Sequence, residues 1–109
     1  MPERARYAFR MKLKPGMAEE YVRLHREVDP AVLDGIRDAG IHNYSIFLDG
    51  DDLFSFLEVD DLARFAEVMR QNDPDRPWAR AVTALFAQKE TDVETGMPPR
   101  LAEVFRFDE

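Results

Sequence analysis

Alternating apolar and polar positions mark several segments of the chain as strands. In residues 7–13, YAFRMKL, every second side chain is apolar, which is the period of a strand with one buried face. Similar alternation predicts strands over 42–48 and 53–59, and the sequence DGDD at 49–52 between them indicates a hairpin turn. The segment LAEVFRF at 101–107 is predicted to be the last strand.

Helical spacing fills the interval between the first two strands. The first helix begins near Met17, and its apolar stripe consists of Met17, Tyr21, Leu24 and Val28. Pro30 ends or bends this helix, because the residue before a proline is pushed out of the α region. A second short helix is therefore predicted over 30–39.

Two more helices are predicted after the hairpin. Either Asp60 or Asp61 can cap the third helix, and the fourth contains Trp78. The resulting order is strand, helix pair, two strands, helix pair, strand, which is the ferredoxin-like βαββαβ arrangement of the α+β class. We expect residues 1–109 to form a single domain with an antiparallel sheet. We expect helices on one face of the sheet, while the open face packs on a second subunit or lines a pocket.

Composition and charge exclude several classes of function. A net charge of −7 argues against nucleic-acid binding, which needs clustered lysine and arginine. There is no cysteine, and the two histidines, His25 and His42, lack the spacing of a metal site, so no metal is expected. No apolar run approaches the roughly 20 residues that span a membrane. We therefore expect a cytoplasmic protein.

Tyr21 and His25 are the first candidates for chemistry. They are four residues apart and are therefore neighbours on one helix face. Histidine carries protons near neutral pH, and a phenol beside it can hydrogen-bond a sugar hydroxyl. Asp29 follows four residues later. Spacing alone favours the simpler interpretation, in which Tyr21 belongs to the core and His25 to the surface.

A polar cluster at the start of the second strand is the next candidate. Polar groups in a central strand cost free energy unless they have partners, so His42, Asn43 and Tyr44 indicate either a pocket or a structural hydrogen bond. Strict alternation places His42 and Tyr44 on the same face of this strand. Trp78, the only tryptophan, is a core residue or a wall for a sugar ring.

Four motifs together carry a family resemblance. They are YAFRMKLKPG at 7–16, EEYVRLH at 19–25 followed by Pro30, GIHNYSIFLD at 40–49 and the closing LAEVFRF. In this order and spacing they resemble the L-rhamnose mutarotase family over nearly the whole chain. The resemblance implies a ferredoxin-like unit that forms a dimeric α+β barrel, and a cofactor-free isomerase that interconverts the α and β anomers of an aldose.

The resemblance also implies roles for individual residues. The proton-donating histidine of the family falls on His25, and its sugar-binding tyrosines fall on Tyr21 and Tyr44. The family usually has two adjacent tryptophans in the last helix, of which Trp78 matches the second. Proline at position 77 replaces the first, and Asp29 stands where the family usually has another tryptophan.

These departures leave the sugar open between L-rhamnose and a related 6-deoxysugar such as L-fucose. The loss of two tryptophans predicts a larger or more polar pocket. In the predicted mechanism His25 exchanges a proton with the sugar, and Asp29 holds the imidazole tautomer if it reaches the ring. Water or His42 is the second proton carrier.

Three other functions remain compatible with the sequence. One is a non-catalytic module that binds a monosaccharide. The others are enzymes or carriers on the same architecture, namely a cofactor-free monooxygenase or a haem-handling protein, in which His25 or His42 would be the axial ligand.

Overall fold

The computed structural model describes residues 3–71, 75–87 and 97–108. Its centre is an antiparallel sheet of three strands in the order β1-β3-β2. The strands are β1 (Ala5–Lys12), β2 (Ile41–Asp49) and β3 (Asp52–Val59). Helices α1 (Ala18–Leu24) and α2 (Pro30–Asp38) precede β2, and helices α3 (Leu62–Arg70) and α4 (Pro77–Thr83) follow β3. The structure confirms the predicted α+β class and the predicted order of these seven elements.

The two faces of the sheet differ in what covers them. The register pairs Tyr7 with Leu57 and Phe9 with Ser55, and all four side chains are buried on the face that packs against the helices. We call this the helix-covered face. The alternate positions form the open face, where Phe54 is 41% exposed.

The core has two parts, which meet along the helix-covered face. The first lies under α3, where the ring of Phe65 packs against Tyr7 at a centroid distance of 5.5 Å. The second lies under α1 and α4, where Tyr21 and Val82 are buried with Leu53. Apolar burial of this kind supplies most of the stability of a small domain.

Aspartates begin two of the helices. Asp61 caps α3, because its carboxylate accepts the backbone N–H of Ala63 at 2.8 Å. This result selects Asp61 from the two caps that the sequence allowed. Asp29 caps α2 in the same way, and Pro30 occupies the first turn, where its missing N–H costs nothing.

A β-bulge interrupts the pairing of β2 with β3. His42 pairs with Glu58, but the next paired residue on the β2 side is Ser45, opposite Phe56. Asn43 takes up the extra residue with a left-handed φ of 52°, a conformation that asparagine tolerates better than most residues. The bulge turns His42 to the open face while Tyr44 stays on the helix-covered face. The prediction that these two side chains share a face is therefore wrong.

The prediction of a last strand over 101–107 is also wrong, since the single chain forms no strand there. Residues 101–108 have no regular secondary structure. Their one backbone hydrogen bond to another described residue runs from the Leu101 N–H to the Ala8 carbonyl in β1 at 2.7 Å. Val104, Phe105 and Phe107 are between 76% and 93% exposed. Alternation alone does not make a strand, because a strand also needs a neighbour to bind its backbone groups.

Across the described parts of the chain, no helix combines the length and the apolar character that a membrane span requires.

Candidate active site

A cavity of about 790 Å³ lies between the helix-covered face and the helices. Its size is within the range of small-molecule sites. Most of its lining is apolar, and the polar side chains of the lining are few: Tyr21, His25, Tyr44, Gln71 and the indole of Trp78. Any chemistry in the cavity must therefore come from this small set among the described residues.

His25 stands where α1 ends. Its backbone N–H still donates to the carbonyls of Tyr21 and Val22, but the helix does not continue beyond it. Its Nδ1 lies 2.8 Å from the Tyr21 carbonyl oxygen. Because a carbonyl can only accept, Nδ1 must carry the proton of this hydrogen bond. In the neutral ring, Nε2 is therefore the nitrogen that can accept a proton.

Two aromatic rings hold the imidazole between them. The ring of Tyr21 lies 4.2 Å from that of His25 at an angle of 30°, and Trp78 meets it edge-on at 5.0 Å. Trp78 is itself anchored, because its Nε1 donates to the Leu24 carbonyl at 2.9 Å. The imidazole is thus placed by one hydrogen bond and two ring contacts, and its position depends on the packing of α4 against α1.

The two phenols of the cavity are held in the neutral form. Burial, and next the nearby Tyr44, raise the pKa of Tyr21 above its ordinary range. Burial raises the pKa of Tyr44 to about 12. Within the described residues neither hydroxyl has a hydrogen-bond partner. Both are therefore available to donate to a ligand, and neither is suited to lose its proton near neutral pH.

Asp29 does not approach the imidazole, contrary to the expected contact. One carboxylate oxygen accepts the Ala31 N–H at 2.9 Å, and the other accepts from Nε and Nη2 of Arg76 at 2.9 Å each. The Ala31 N–H, and then Arg76, hold the pKa of this carboxyl below its usual value. The Tyr21 carbonyl, and not Asp29, sets the tautomer of His25, and Asp29 is absent from the cavity lining.

His42 lies outside the cavity as well. The bulge directs it to the open face, where its Nε2 is 2.9 Å from Oδ2 of Asp60. This contact lowers the pKa of Asp60, with Arg4 as a smaller cause. The expected place of His42 beside the sugar is therefore not the one that the structure gives it.

Four of the seven residues singled out from the sequence line the cavity: Tyr21, His25, Tyr44 and Trp78. The sequence analysis missed Gln71, which ends α3 and lines the cavity. No periodicity or motif marks it, because its place depends on how α3 lies over the sheet. In the described part of the chain, histidine, aspartate and glutamate side chains form no group of three able to hold a metal ion.

Comparison with known sequences gives a consistent result. The model of a family described as L-rhamnose mutarotase matches residues 6–107. An L-rhamnose mutarotase of Mesorhizobium japonicum is 43% identical over 81 residues, which cover 72% of this chain and 75% of the relative. One from Acidiphilium cryptum is 37% identical over 97 residues, covering 72% of this chain and 93% of the relative.

Solved structures agree with the fold. The crystal structure of an L-rhamnose mutarotase from Formosa agariphila superposes with a TM-score of 0.71 at 26% identity, covering 95% of this chain and 99% of that one. Tetracenomycin F2 cyclase from Streptomyces glaucescens gives a TM-score of 0.60 at 19% identity, covering 96% and 97%. At that identity the cyclase shows a shared fold alone. The chain belongs to the L-rhamnose mutarotase family and is a carbohydrate isomerase of the mutarotase type.

Proposed function

We propose that this enzyme interconverts the α and β anomers of L-rhamnose, or of a closely related 6-deoxysugar such as L-fucose, at the polar end of the cavity. One observation carries the proposal. His25 binds a carbonyl through Nδ1, which leaves Nε2 of the neutral ring to accept a proton, and it lines the cavity together with Tyr21 and Tyr44, whose hydroxyls have no partner among the described residues. A proton carrier and two neutral donors are the groups that mutarotation needs.

The reaction can be written with these groups. A base takes the proton of the anomeric hydroxyl while the ring oxygen gains a proton, and the bond between C1 and the ring oxygen breaks. The open-chain aldehyde turns its other face to the hydroxyl, and closure reverses both proton transfers. No electrons are exchanged with a cofactor, and no bond to the protein forms.

His25 is the base in this scheme, with Nε2 as the accepting atom. Tyr21 and Tyr44 donate hydrogen bonds to sugar oxygens and stay protonated, since their pKa values are raised. We assign the second proton transfer to water, because His42 is on the open face. Trp78 flanks the sugar with its aromatic face or edge, beside the imidazole that it positions.

We also propose that the enzyme forms a homodimer. The open face exposes Phe47 and Phe54, and the tail at 101–108 exposes Phe105 and Phe107. Exposed apolar groups in two separate places favour burial against a second copy. Sedimentation should show a dimer at micromolar concentration, and a monomer there would contradict it.

The cytoplasm remains the expected location, because a chain without cysteine needs no oxidising compartment.

Saturation-transfer NMR tests the catalytic assignment. Exchange between the anomers of L-rhamnose should fall by about 10²–10⁴-fold in His25→Ala, which is the range for a positioned acid–base group. Tyr21→Phe, which keeps the ring beside His25 and removes one hydroxyl, should cost less. Unchanged exchange in His25→Ala would show that the base lies elsewhere. Binding of sugar without exchange in the wild type would favour a non-catalytic module.

A further inference from the structure

The cavity has two chemically different ends. Tyr21, His25 and Trp78 lie at the end under α1 and α4, beside the second part of the core. The other end lies between α2, α3 and the sheet. Apart from Gln71 at the end of α3, its described walls are apolar: Ile36, Ile41, Leu57, Val68 and Met69. Tyr44 stands between the two ends, because it packs with the first part of the core and also acts on the pKa of Tyr21.

Helix α2 forms one wall of the apolar end. It is amphipathic, yet none of its residues is buried. Val32, Leu33 and Ile36 line the cavity with side chains that remain partly accessible. An apolar helix face normally packs against other side chains. Here it encloses space on the covered side of the sheet, and Val68 and Met69 of α3 face the same space.

A pyranose ring fits the polar end and not the apolar one. A 6-deoxyaldose carries a ring oxygen and four hydroxyls, and a buried hydroxyl without a partner costs roughly 1–3 kcal/mol. Among the described side chains of the lining, the groups able to bind hydroxyls concentrate near Tyr21, His25 and Tyr44, while the wall of Ile36, Val68 and Met69 has only Gln71 nearby. A ring placed among the aliphatic side chains would lose its hydroxyl partners, so the apolar end remains beyond the sugar.

We propose that the apolar end of the cavity binds an apolar substituent of the aldose, such as an alkyl or acyl group of a few carbons. This substituent is attached on the side of the sugar ring opposite the anomeric carbon. The inference rests on the proposed function, because it takes the anomeric carbon to lie at His25. Position 4 is opposite C1 in a pyranose, so a 4-O-substituent points from the polar end toward Val68 and Ile36. The preferred substrate class is then a 4-O-substituted deoxyaldose with a free anomeric hydroxyl.

The size of the effect follows from the apolar area that the substituent buries. Each methylene removed from water contributes about 0.8 kcal/mol, which corresponds to roughly a fourfold gain in apparent affinity. A propyl group that enters the apolar end should therefore lower the KM for exchange by about tenfold or more. A substituent at position 2, next to C1, would collide with the polar end and should bring no gain.

The test compares the KM for exchange of L-rhamnose with those of its 4-O-propyl and 2-O-propyl derivatives, all measured by saturation-transfer NMR. A lower KM for the 4-O-propyl sugar alone is the expected result. Equal or higher KM for that sugar, with L-rhamnose exchanged normally, would overturn the inference and leave the proposed function intact. Exchange of none of the three sugars would overturn both.

Variants at Val68 check the location of the substituent. Val68→Thr keeps the shape and adds a hydroxyl to the apolar wall, so the KM ratio of L-rhamnose to the 4-O-propyl sugar should fall. Val22→Thr is the matched control, since Val22 lies on α1, is 39% exposed and is absent from the cavity lining. Its ratio should equal that of the wild type. An unchanged ratio in a folded Val68→Thr protein would show that the propyl group binds elsewhere.

Discussion

The helix-covered face and the open face of the sheet each have a histidine nearby, and the two histidines have different surroundings. His25 lies in a cavity between two aromatic rings, with Nδ1 bound to a carbonyl and Nε2 left to accept a proton. His42 lies on the open face, where Nε2 meets the Asp60 carboxylate in an exposed pair. Residue type alone therefore does not indicate which histidine suits the proposed chemistry.

The two faces also differ in how their polar groups are satisfied. The open face carries exposed ion pairs such as Arg4 with Asp60, which contribute little to stability because water screens them. The cavity holds two phenols with no partner among the described residues. The cavity therefore suits a polar ligand better than the open face, because its two phenols lack partners among the described residues, whereas groups such as Arg4 and Asp60 on the open face are already paired.

The largest expected difference between the two faces is in catalysis. His25→Gln should lower anomer exchange by about 10²–10⁴-fold, because glutamine cannot accept and return a proton as imidazole does. His42→Gln should leave exchange unchanged. Both rates can be measured on the same L-rhamnose sample by saturation transfer. An equal loss of exchange rate in the two variants would contradict the proposed difference between the two histidines.

A second difference should appear in the free energy of unfolding. Phe65 is fully buried under α3, so Phe65→Ala should cost about 3–5 kcal/mol through lost burial and a new cavity. Phe54 is 41% exposed on the open face of the single chain, so Phe54→Ala should cost only about 1 kcal/mol at protein concentrations too low for the proposed dimer. Urea denaturation gives both values. Similar costs would mean that the open face is as well packed as the covered one.

The bulge that separates the two faces at His42 and Tyr44 can be tested directly. Asn43 has a φ of 52°, so Asn43→Ala should cost about 1–2 kcal/mol, the penalty for a side chain in the left-handed region. Asn43→Gly removes that penalty and should cost less than Asn43→Ala, because both variants lose the bond from Asn43 Nδ2 to Glu58 Oε1 and only alanine keeps the unfavourable φ. Denaturation curves of the two variants provide the measurement. A neutral alanine variant would contradict the left-handed bulge.

The smallest effect concerns pH. Asp29 has a lowered pKa in the folded chain, so its contribution to stability is present above the unfolded value of about 3.9 and is lost as the pH falls through the lower folded value. Asp29→Asn should therefore lower Tm at neutral pH, and the difference from the wild type should shrink as acid is added. Scanning calorimetry at several pH values measures this.

A control for the pH prediction is available on the surface of the same helix. Asp34 pairs with Arg37 in an exposed contact three residues away. Asp34→Asn should change Tm little at any pH, since such pairs are worth little in water. If the Asp29→Asn difference is independent of pH, the charge of the carboxylate does not account for it, since asparagine keeps the Oδ1 that caps the Ala31 N–H.

At one of the two expected tryptophan positions, Asp29 pairs with the residue that precedes the other position, Pro77. That residue is Arg76, and the pair links the start of α2 to the start of α4. Both residues are absent from the cavity lining, which is mainly apolar. The Asp29 carboxylate is turned to Arg76 and adds no polar group to the cavity lining, and the larger pocket stays a prediction.

The sequence by itself determined the features that depend on near neighbours. Helical periodicity places Tyr21 beside His25, because residues four apart share a helix face. Alternation identifies β1 and β3, the Asp-Gly turn joins β2 to β3, and Asp61 caps α3 within its own segment. Each of these rests on interactions within a few residues, so local pattern was enough to predict them.

Only the tertiary structure decided the rest. The face of His42 depends on one extra residue in the register against β3, and the partner of Asp29 lies 47 residues away. The edge of Trp78 reaches His25 only because α4 packs on α1, and the segment 101–107 lacks the neighbouring strand that its alternation anticipates. These outcomes follow from contacts between distant segments, whose free energies depend on how the elements pack and not on the residues of any one segment.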